Sequence, residues 1–335
     1  MEERVSRPIG KQLIFIISQP RAGSTMLQRI LGNHQSIHAD SEPWLMLYPF
    51  YALRQKGYKA EFDAYIASIA LKDFLRTLPH GETEYYEGVR RMYSYLYQQA
   101  LIKSNKPYFL DKTPRYYFII PELYKTFPNA YYIILLRNPM AVVSSILNTW
   151  VKKNWFKLER LKNDLSVAPH LLLKSAEQLG MNRIVVLYED ILKDPNNEIE
   201  RICNWIGIDF SSEIIDYGYK DQCEWNLGDK NEIDKNLRPV LKYGDKWEQS
   251  LKNPQIWRIT KEYFSLLGRE TFTQMGYSFT QIEQTLEKHR PYLHKRLPTV
   301  SLSWLLKKPM EKRRKYERII LGFVNLFLRK NLKTQ

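Results

Sequence analysis

The chain has 335 residues, 44% of them hydrophobic, with two cysteines and a formal net charge of +15. This length and composition allow a large core, and they exclude a disulfide-stabilised miniprotein and a low-complexity chain. From Pro291 to Gln335, twelve Lys or Arg face two Glu, so one tail holds most of the net charge. Because the body is much less basic than the tail, the charge does not predict a nucleic-acid-binding protein.

The sequence also predicts where in the cell the protein is found and whether it binds a metal ion. A charged N-terminal segment and the lack of a run of about 18 apolar residues predict neither a signal peptide nor a membrane-spanning helix. Cys203 and Cys223 form no disulfide framework, and no residues show metal-ligand spacing. We therefore expect a cytoplasmic protein with reduced thiols and no metal site.

Short apolar runs alternate with helical patterns along most of the chain. The first run predicts a buried strand at Leu13–Ser18, and a turn and a helix from Gly23 to Gly32 follow it. Further strands are predicted at Ile37–Ala39, Tyr108–Leu110, Tyr131–Leu136 and Ile184–Leu187. Helices are expected within Trp44–Ala100 and Pro114–Phe127, from Met140 to about Trp150 with more helix to Leu179, and near Pro254–Gln274.

This alternation predicts an α/β fold, a P-loop-like parallel sheet flanked by helices, with a helical insertion at about residues 44–105. We expect one domain over residues 1–290 and a basic amphipathic C-terminal extension over residues 291–335. Ligands of such sheets bind beyond the carboxyl ends of the strands, so functional residues are sought there.

The first functional motif covers residues 18–25, between the first strand and the first helix, and reads SQPRAGST. Backbone N–H groups at such a junction bind anions, and Gly23 lets the backbone approach one closely. Arg21 adds a charged fork, and Ser24 and Thr25 add hydroxyls. The GxxxxGK[ST] spacing is absent, so the motif predicts a phosphate cradle that is not a Walker loop. A capped helix start with an exposed Arg21 is the alternative.

The second motif follows the strand Tyr131–Leu136. Arg137 leaves this strand, and Ser144 and Ser145 lie about two helical turns further on. An arginine and a serine so spaced can bind a second anion between them. An exposed arginine and a serine within a helix are the alternative.

Together the two motifs resemble the nucleotide-binding signatures of the sulfotransferase family, and the resemblance extends from about Lys11 to Trp247. It implies that Arg137 and Ser145 hold the 3′-phosphate of 3′-phosphoadenosine-5′-phosphosulfate, with 3′,5′-bisphosphoadenosine as the product. The implied loop for the 5′-phosphosulfate consists of Arg21, Ala22, Gly23, Ser24 and Thr25.

The first loop is most similar to the tyrosylprotein and bacterial branch of that family. This resemblance implies that Glu42 is the base for the acceptor hydroxyl, and that Lys112 and Arg21 stabilise the leaving group. His34 and His38 are alternative bases, because related cytosolic enzymes use histidine.

Three further positions match the family at lower specificity. The resemblance places Tyr188 beside the adenosine, and it makes Lys246 and Trp247 part of a segment that closes over the cofactor. Asn231 is a weaker candidate for a contact in the 3′-phosphate region.

The sequence thus predicts a sulfotransferase that moves a sulfuryl group from the nucleotide co-substrate to an acceptor hydroxyl of unknown identity. A nucleotide kinase-like P-loop enzyme is one alternative, although the Walker lysine is missing. A non-enzymatic, basic surface-binding protein is the other. In the tail, Met310–Leu328 has apolar residues at helical spacing among Lys and Arg. This pattern predicts peripheral contact with an anionic membrane, with a helix docked on the body as the alternative.

Overall fold

The computed structural model describes residues 9–152, 154, 155, 157–217, 238–241 and 244–291. Its five strands are β1 (Leu13–Ser18), β2 (Ile37–Ala39), β3 (Tyr108–Lys112), β4 (Tyr131–Leu136) and β5 (Arg183–Leu187). They form one sheet in the order β2-β3-β1-β4-β5, and every neighbouring pair is parallel. The predicted parallel sheet is confirmed.

Helices connect and cover these strands. Those before β4 are α1 (Ser24–Gly32), α2 (Leu47–Ala52), α3 (Ala64–Arg76), α4 (Glu82–Ser104) and α5 (Ile120–Thr126). Those between β4 and the end of β5 are α6 (Pro139–Ile146), α7 (Lys157–Arg160), α8 (Lys162–Ser166) and α9 (Ala168–Gln178). Those after β5 are α10 (Tyr188–Lys193), α11 (Pro195–Ile206), α12 (Lys246–Ser250), α13 (Pro254–Gln274) and α14 (Phe279–Lys288).

The sheet has a hydrophobic core on each face, as its alternating side chains require. On one face, Phe15 and Ile17 of β1 pack with buried residues of α4, α5 and α9. On the other face, Ile14 and Ile16 pack with α1, α10 and α11. A third core joins α6, α12 and α13 beside the loop after β1, and this core includes Ala22.

Strand β3 is two residues longer than predicted. The apolar run ends at Leu110, but β3 continues through Asp111 and Lys112, and Ile16 of β1 is in register with Lys112. Both charged side chains are buried, at 1% and 0% exposure. The prediction stopped too early because it relied on hydrophobicity, whereas these residues have polar partners that the sequence does not reveal.

The helix predicted from Met140 to Trp150 also differs in detail. Helix α6 ends at Ile146, and a π-helical turn continues it over Leu147–Val151. Such turns occur mostly as short bulges in α-helices, frequently at functional sites. Here the turn carries Trp150, whose ring lies 5.6 Å from the Arg21 guanidinium carbon.

Some expectations lie outside the described residues: those for Asn231, Cys223 and the tail segment Met310–Leu328. Cys203 is described, and it is buried and not in a disulfide. Within the described ranges, no helix is long and apolar enough to cross a bilayer.

Candidate active site

The loop after β1 turns sharply before helix α1. Arg21 has a φ of 72° and Gly23 a φ of 93°, so both occupy the left-handed region. That conformation strains a non-glycine residue, and such strain is found mainly at functional sites. Gly23 is the N-cap of α1 and supplies no side chain to cap the first turn. The loop therefore places the start of α1, including Ser24 and Thr25, at the carboxyl edge of the sheet.

The two predicted phosphate motifs are in direct contact. The Arg21 Nε donates to Ser145 Oγ at 3.1 Å, and the Arg137 Nη1 donates to the Arg21 carbonyl oxygen at 2.9 Å. This arrangement follows from the sheet, because β1 and β4 are parallel neighbours with Ser18 opposite Leu135. Arg21 and Arg137 therefore both lie beside the N-terminus of α1, where their charges and the helix N–H groups favour an anion.

Tyr188 packs tightly against both motifs. It is the first residue of α10, and its ring centroid lies 4.2 Å from the Arg137 guanidinium carbon. A Cβ atom on Gly23 would lie 2.3 Å from Tyr188 Cδ2, closer than any real contact allows. A residue with a side chain at position 23 would therefore displace the ring that supports Arg137.

Lys112 and Glu42 form an ion pair at the end of β3. The Lys112 Nζ donates to Glu42 Oε1 at 2.6 Å and to Thr25 Oγ1 at 3.3 Å. The Lys112 side chain is fully buried and the Glu42 side chain is 14% exposed. Because each charge needs the other in this environment, removing either one would leave a buried charge uncompensated.

Trp44 holds the second oxygen of Glu42. Its indole Nε1 donates to Glu42 Oε2 at 3.1 Å, and its backbone N–H donates to Thr113 Oγ1 at 3.3 Å. Trp44 itself has a left-handed φ of 55°. The Arg115 guanidinium carbon lies 5.5 Å from the Trp44 ring centroid, which places a cation over the indole. Both carboxylate oxygens of Glu42 are therefore held, Oε1 by Lys112 and Oε2 by Trp44.

Asp111, the residue before Lys112, is held by three hydrogen bonds. It accepts hydrogen bonds from the hydroxyls of Tyr97 at 2.7 Å, Tyr116 at 3.0 Å and Thr113 at 3.1 Å. Complete burial raises the pKa of Asp111 to about 6, although these hydrogen bonds and the charge of Lys112 act to lower it. Since Thr113 also binds Trp44, the carboxyl group supports the segment that carries Glu42.

A second buried network, not foreseen from the sequence, holds the loop after β1. Arg115 binds Asp164 with two hydrogen bonds of 3.0 and 2.7 Å, and the Tyr117 hydroxyl donates to the same carboxylate at 2.7 Å. The Gln19 Nε2 donates to the Asp164 carbonyl oxygen at 2.7 Å. Residues 145 positions apart thus fix the loop, and no local sequence pattern signals such a contact.

Glu189 is another residue that sequence reasoning missed. It accepts a hydrogen bond from the Asn138 backbone N–H at 3.1 Å and another from the Tyr277 hydroxyl at 2.6 Å. It lies between Tyr188 and the turn after Arg137, so it holds these two site segments together. The one sign of this role in the sequence is that Glu189 directly follows Tyr188, a predicted site residue.

Two further predicted residues, Lys246 and Trp247, lie on α12. Trp247 is buried in α12 and belongs to the same hydrophobic core as Ala22, which brings it beside the loop after β1. Lys246 is exposed on the same helix.

The two alternative bases have other partners. His34 uses both ring nitrogens: Nδ1 accepts from the Ser36 backbone N–H at 3.0 Å, and Nε2 lies 2.8 Å from the Asp209 carbonyl oxygen. His38 Nε2 lies 3.1 Å from Asp40 Oδ2. Glu42 is therefore the candidate base that contacts Lys112. In the described ranges, no group of three His, Cys, Asp or Glu could hold a metal ion.

Comparisons with known proteins bear on the family and the fold of this chain. Residues 13–212 match the model of the sulfotransferase family. The nodulation protein NoeE of Sinorhizobium fredii is 27% identical over 304 residues, which cover 83% of this chain and 68% of NoeE. A putative protein-tyrosine sulfotransferase of Caenorhabditis briggsae is 22% identical over 249 residues, covering 66% of this chain and 74% of that protein.

A solved structure shares the fold. The sulfotransferase domain from the curacin biosynthetic pathway superimposes with a TM-score of 0.52 at 19% identity, covering 82% of this chain and 99% of that domain. The family match spans β1 to β5 and so includes both contacting motifs.

Proposed function

The chain belongs to the sulfotransferase family and is an enzyme of sulfuryl transfer, and from this premise we propose that its donor is 3′-phosphoadenosine-5′-phosphosulfate. The observation that carries the proposal is the contact between the two phosphate motifs, in which Arg137 binds the backbone of Arg21 and Arg21 binds Ser145. A donor with phosphate groups at both its 5′ and 3′ positions uses both motifs at once.

The residues of the site fit this donor. Gly23 has a φ of 93°, a conformation that glycine adopts without strain, and it precedes helix α1, whose first backbone N–H groups are available to a phosphate. Arg21, Ser24 and Thr25 supply donors for the 5′-phosphosulfate, and Arg137 and Ser145 supply them for the 3′-phosphate. The Tyr188 ring, which packs against the Arg137 guanidinium, offers a surface for the adenosine. Trp247 of α12 packs in the same hydrophobic core as Ala22 of the loop, and Lys246 precedes it on that helix.

When bound, the nucleotide supplies the sulfuryl group and a phosphate leaving group for an in-line displacement at sulfur. Glu42 is the base that accepts the proton of the acceptor hydroxyl on a carboxylate oxygen. Lys112, together with Arg21, stabilises the negative charge on the leaving phosphate oxygen. Trp44 holds Glu42 through its indole N–H. Asp111 supports Trp44 in turn, because Thr113 donates to Asp111 and accepts a hydrogen bond from the Trp44 backbone N–H.

The short distance between Lys112 and Glu42 has a mechanistic meaning. The Glu42 carboxylate and the Lys112 amine are 2.6 Å apart, so the group that accepts the acceptor proton lies next to the group that stabilises the leaving oxygen. Thr25, at 3.3 Å from the same amine, connects this pair to the phosphate loop. Positioned groups of this kind act mainly by orientation and electrostatic stabilisation, without a covalent intermediate on the protein.

Calorimetry with 3′,5′-bisphosphoadenosine and with AMP tests the donor assignment. We expect the bisphosphate to bind roughly 10- to 100-fold more tightly, because a charge-assisted hydrogen bond contributes about 1.5–3 kcal/mol. Ser145→Ala should reduce this preference, whereas Arg91→Ala, which changes an arginine on the exposed face of α4, should leave it unchanged. Equal affinity for the two nucleotides would show that the assignment is wrong.

Contact with a membrane through the tail, residues 310–335, stays a prediction, because this segment lies outside the described residues. Its Lys and Arg side chains each contribute roughly 1 kcal/mol near an anionic surface. Co-sedimentation with anionic liposomes at low salt, with and without residues 310–335, tests it. Full-length protein that stays in the supernatant would contradict it.

A further inference from the structure

The helical segment between β2 and β3 has an unusual surface. Among the described residues, twelve large hydrophobic side chains are exposed, and all but Val185, Leu241 and Leu266 lie between Tyr48 and Ile102. Soluble proteins rarely concentrate exposed apolar side chains in this way unless the surface binds something.

Part of this surface is a groove between α2, α3 and α4, here called the α2–α4 groove. It has a volume of about 550 Å³, within the range of sites for small molecules. Its walls include Tyr48 of α2, Phe74 and Leu78 at the end of α3, and Tyr85 and Met92 of α4. The Tyr85 hydroxyl donates to the Pro49 carbonyl oxygen at 2.7 Å, so α2 and α4 are held together and the groove is preformed.

Gly88 keeps this groove open. It lies in the interior of α4 and lines the groove, and no heavy atom lies within 4 Å of the position that its Cβ would occupy. Glycine is a poor residue for a helix interior, and here no close backbone contact requires it. The missing side chain instead leaves space that a larger residue would fill.

The lining determines the chemistry of the occupant. Among the residues that the structure describes, Glu84 is the only Asp or Glu that lines the groove, and no Lys, Arg or His does so. An anionic ligand would be repelled by this carboxylate, and the basic tail, with twelve Lys or Arg against two Glu, would find one carboxylate to pair with. A neutral apolar chain matches the groove.

The groove is also near the proposed base. Tyr48 follows Glu42 by six residues, so their Cα atoms are at most ~20 Å apart. Trp44, which holds Glu42, lies on the same connecting segment. A molecule that spans this distance would contact both Glu42 and the groove.

Building on the proposed function, we propose that the α2–α4 groove binds the apolar chain of an amphiphilic acceptor, whose hydroxyl-bearing head reaches Glu42. The acceptor is then a neutral molecule with an alkyl or acyl chain and a polar head. The groove selects acceptors by the length of their apolar chain, and the hydroxyl of the polar head reacts at Glu42.

Calorimetry on the full chain with methyl, hexyl and decyl β-maltoside, each below its micellar concentration, tests the groove. Affinity should rise about fourfold for each methylene that leaves water. Affinity that does not depend on chain length would overturn the proposal.

Two leucine substitutions on the same helix locate the binding. Gly88→Leu places a side chain in the groove and favours the helix, so it should fold and should remove most of the dependence on chain length. Gln99→Leu adds the same side chain at an exposed position of α4 outside the groove and should behave as wild type. If the two variants bind decyl maltoside equally, the alkyl chain binds elsewhere and the proposal is wrong.

Two further measurements exclude other occupants. Saturating 3′,5′-bisphosphoadenosine should leave decyl maltoside binding intact, and displacement by the nucleotide would place the alkyl chain in the nucleotide site and overturn the proposal. Removal of residues 310–335 should not change the affinity for decyl maltoside, and an increase would identify the tail as the occupant of the groove. Because these readouts need no turnover, a groove that fails is distinguishable from a chain that does not transfer sulfuryl groups.

Discussion

Gly23→Ala tests how the site is built, because a single methyl group should disturb three of its parts. Gly23 has a φ of 93°, and an added Cβ would lie 2.3 Å from Tyr188 Cδ2 and 2.4 Å from Cε2. The aromatic ring must move, and Arg137 rests on that ring with its guanidinium carbon 4.2 Å from the centroid. The expected result is a displaced Arg137 and a disturbed phosphate loop.

The magnitude follows from two contributions. Placing alanine in the left-handed region costs roughly 1–2 kcal/mol. Forcing an extra carbon into a packed contact costs roughly 1–3 kcal/mol more. The free energy of unfolding should therefore fall by about 2–5 kcal/mol if the ring stays in place. If the ring moves instead, part of this loss appears as weaker nucleotide binding, at least about tenfold in Kd.

Thermal melting and calorimetry with 3′,5′-bisphosphoadenosine measure both parts. Gly10→Ala is the matched control, because its added Cβ would lie an ordinary 3.7 Å from Asn129 Cβ. We expect Gly23→Ala to lower the melting temperature by at least about 4 °C, or to weaken binding, while Gly10→Ala does neither. A Gly23→Ala protein that melts and binds like wild type would refute the proposed packing of Tyr188 against the loop.

Three further substitutions test separate parts of the account. Lys112→Ala should lower kcat by roughly 10²–10³ and change the Kd of 3′,5′-bisphosphoadenosine much less, because Lys112 acts on charge that develops in the transition state. Trp44→Phe keeps a ring beneath Arg115 but removes the N–H that binds Glu42, so kcat/KM should fall about tenfold with little change in melting temperature. Asp111→Asn should flatten the pH dependence of stability between about pH 4 and 6, which urea unfolding at several pH values measures.

The sign of the Asp111 effect follows from its raised pKa. The folded protein holds this proton up to about pH 6, whereas the ordinary value is 3.8, so the folded state binds more protons between these values. The free energy of unfolding should therefore decrease as pH rises through this window, by up to about 3 kcal/mol. The opposite slope in the difference between wild type and variant would contradict the assignment.

The other two substitutions have equally clear contrary outcomes. If Lys112→Ala weakens nucleotide binding by the same factor as the rate, then Lys112 is a nucleotide-binding residue and not a catalytic one. If Trp44→Phe retains full activity, then its hydrogen bond does not position Glu42.

The architecture, and the edge of the sheet at which both phosphate motifs lie, could be predicted from the sequence, whereas the direct contact between the motifs was found only in the structure. Buried parallel strands have a distinctive composition, and the carboxyl ends of neighbouring parallel strands meet at one edge. The family match and the shared fold confirm this α/β assignment, with Arg21 and Arg137 following β1 and β4. Which nucleotide these arginines bind, and the roles of Glu42 and Lys112, stay proposals.

The supporting contacts could not be predicted, and the reason is physical. Gln19 and Asp164 are 145 residues apart, and their hydrogen bond depends on how α8 packs beside the loop. In strand β3, the carboxyl group of Asp111 is buried with three hydroxyl groups around it, and all three belong to residues outside the strand. Periodicity reports hydrophobic burial, so it cannot report polar groups that are buried with distant partners.

Transfer of labelled sulfuryl from 3′-phosphoadenosine-5′-phosphosulfate into a cell extract, followed by mass spectrometry of the product, tests the central claim most directly. The wild-type chain should label a hydroxyl-bearing product. Glu42→Gln should lower the melting temperature, because the buried Lys112 loses its counter-charge, but the folded variant should still bind 3′,5′-bisphosphoadenosine and should transfer about 10²- to 10⁴-fold more slowly, because it has lost the base. Normal transfer by Glu42→Gln, with His38→Asn inactive, would contradict this account and identify His38 as the base.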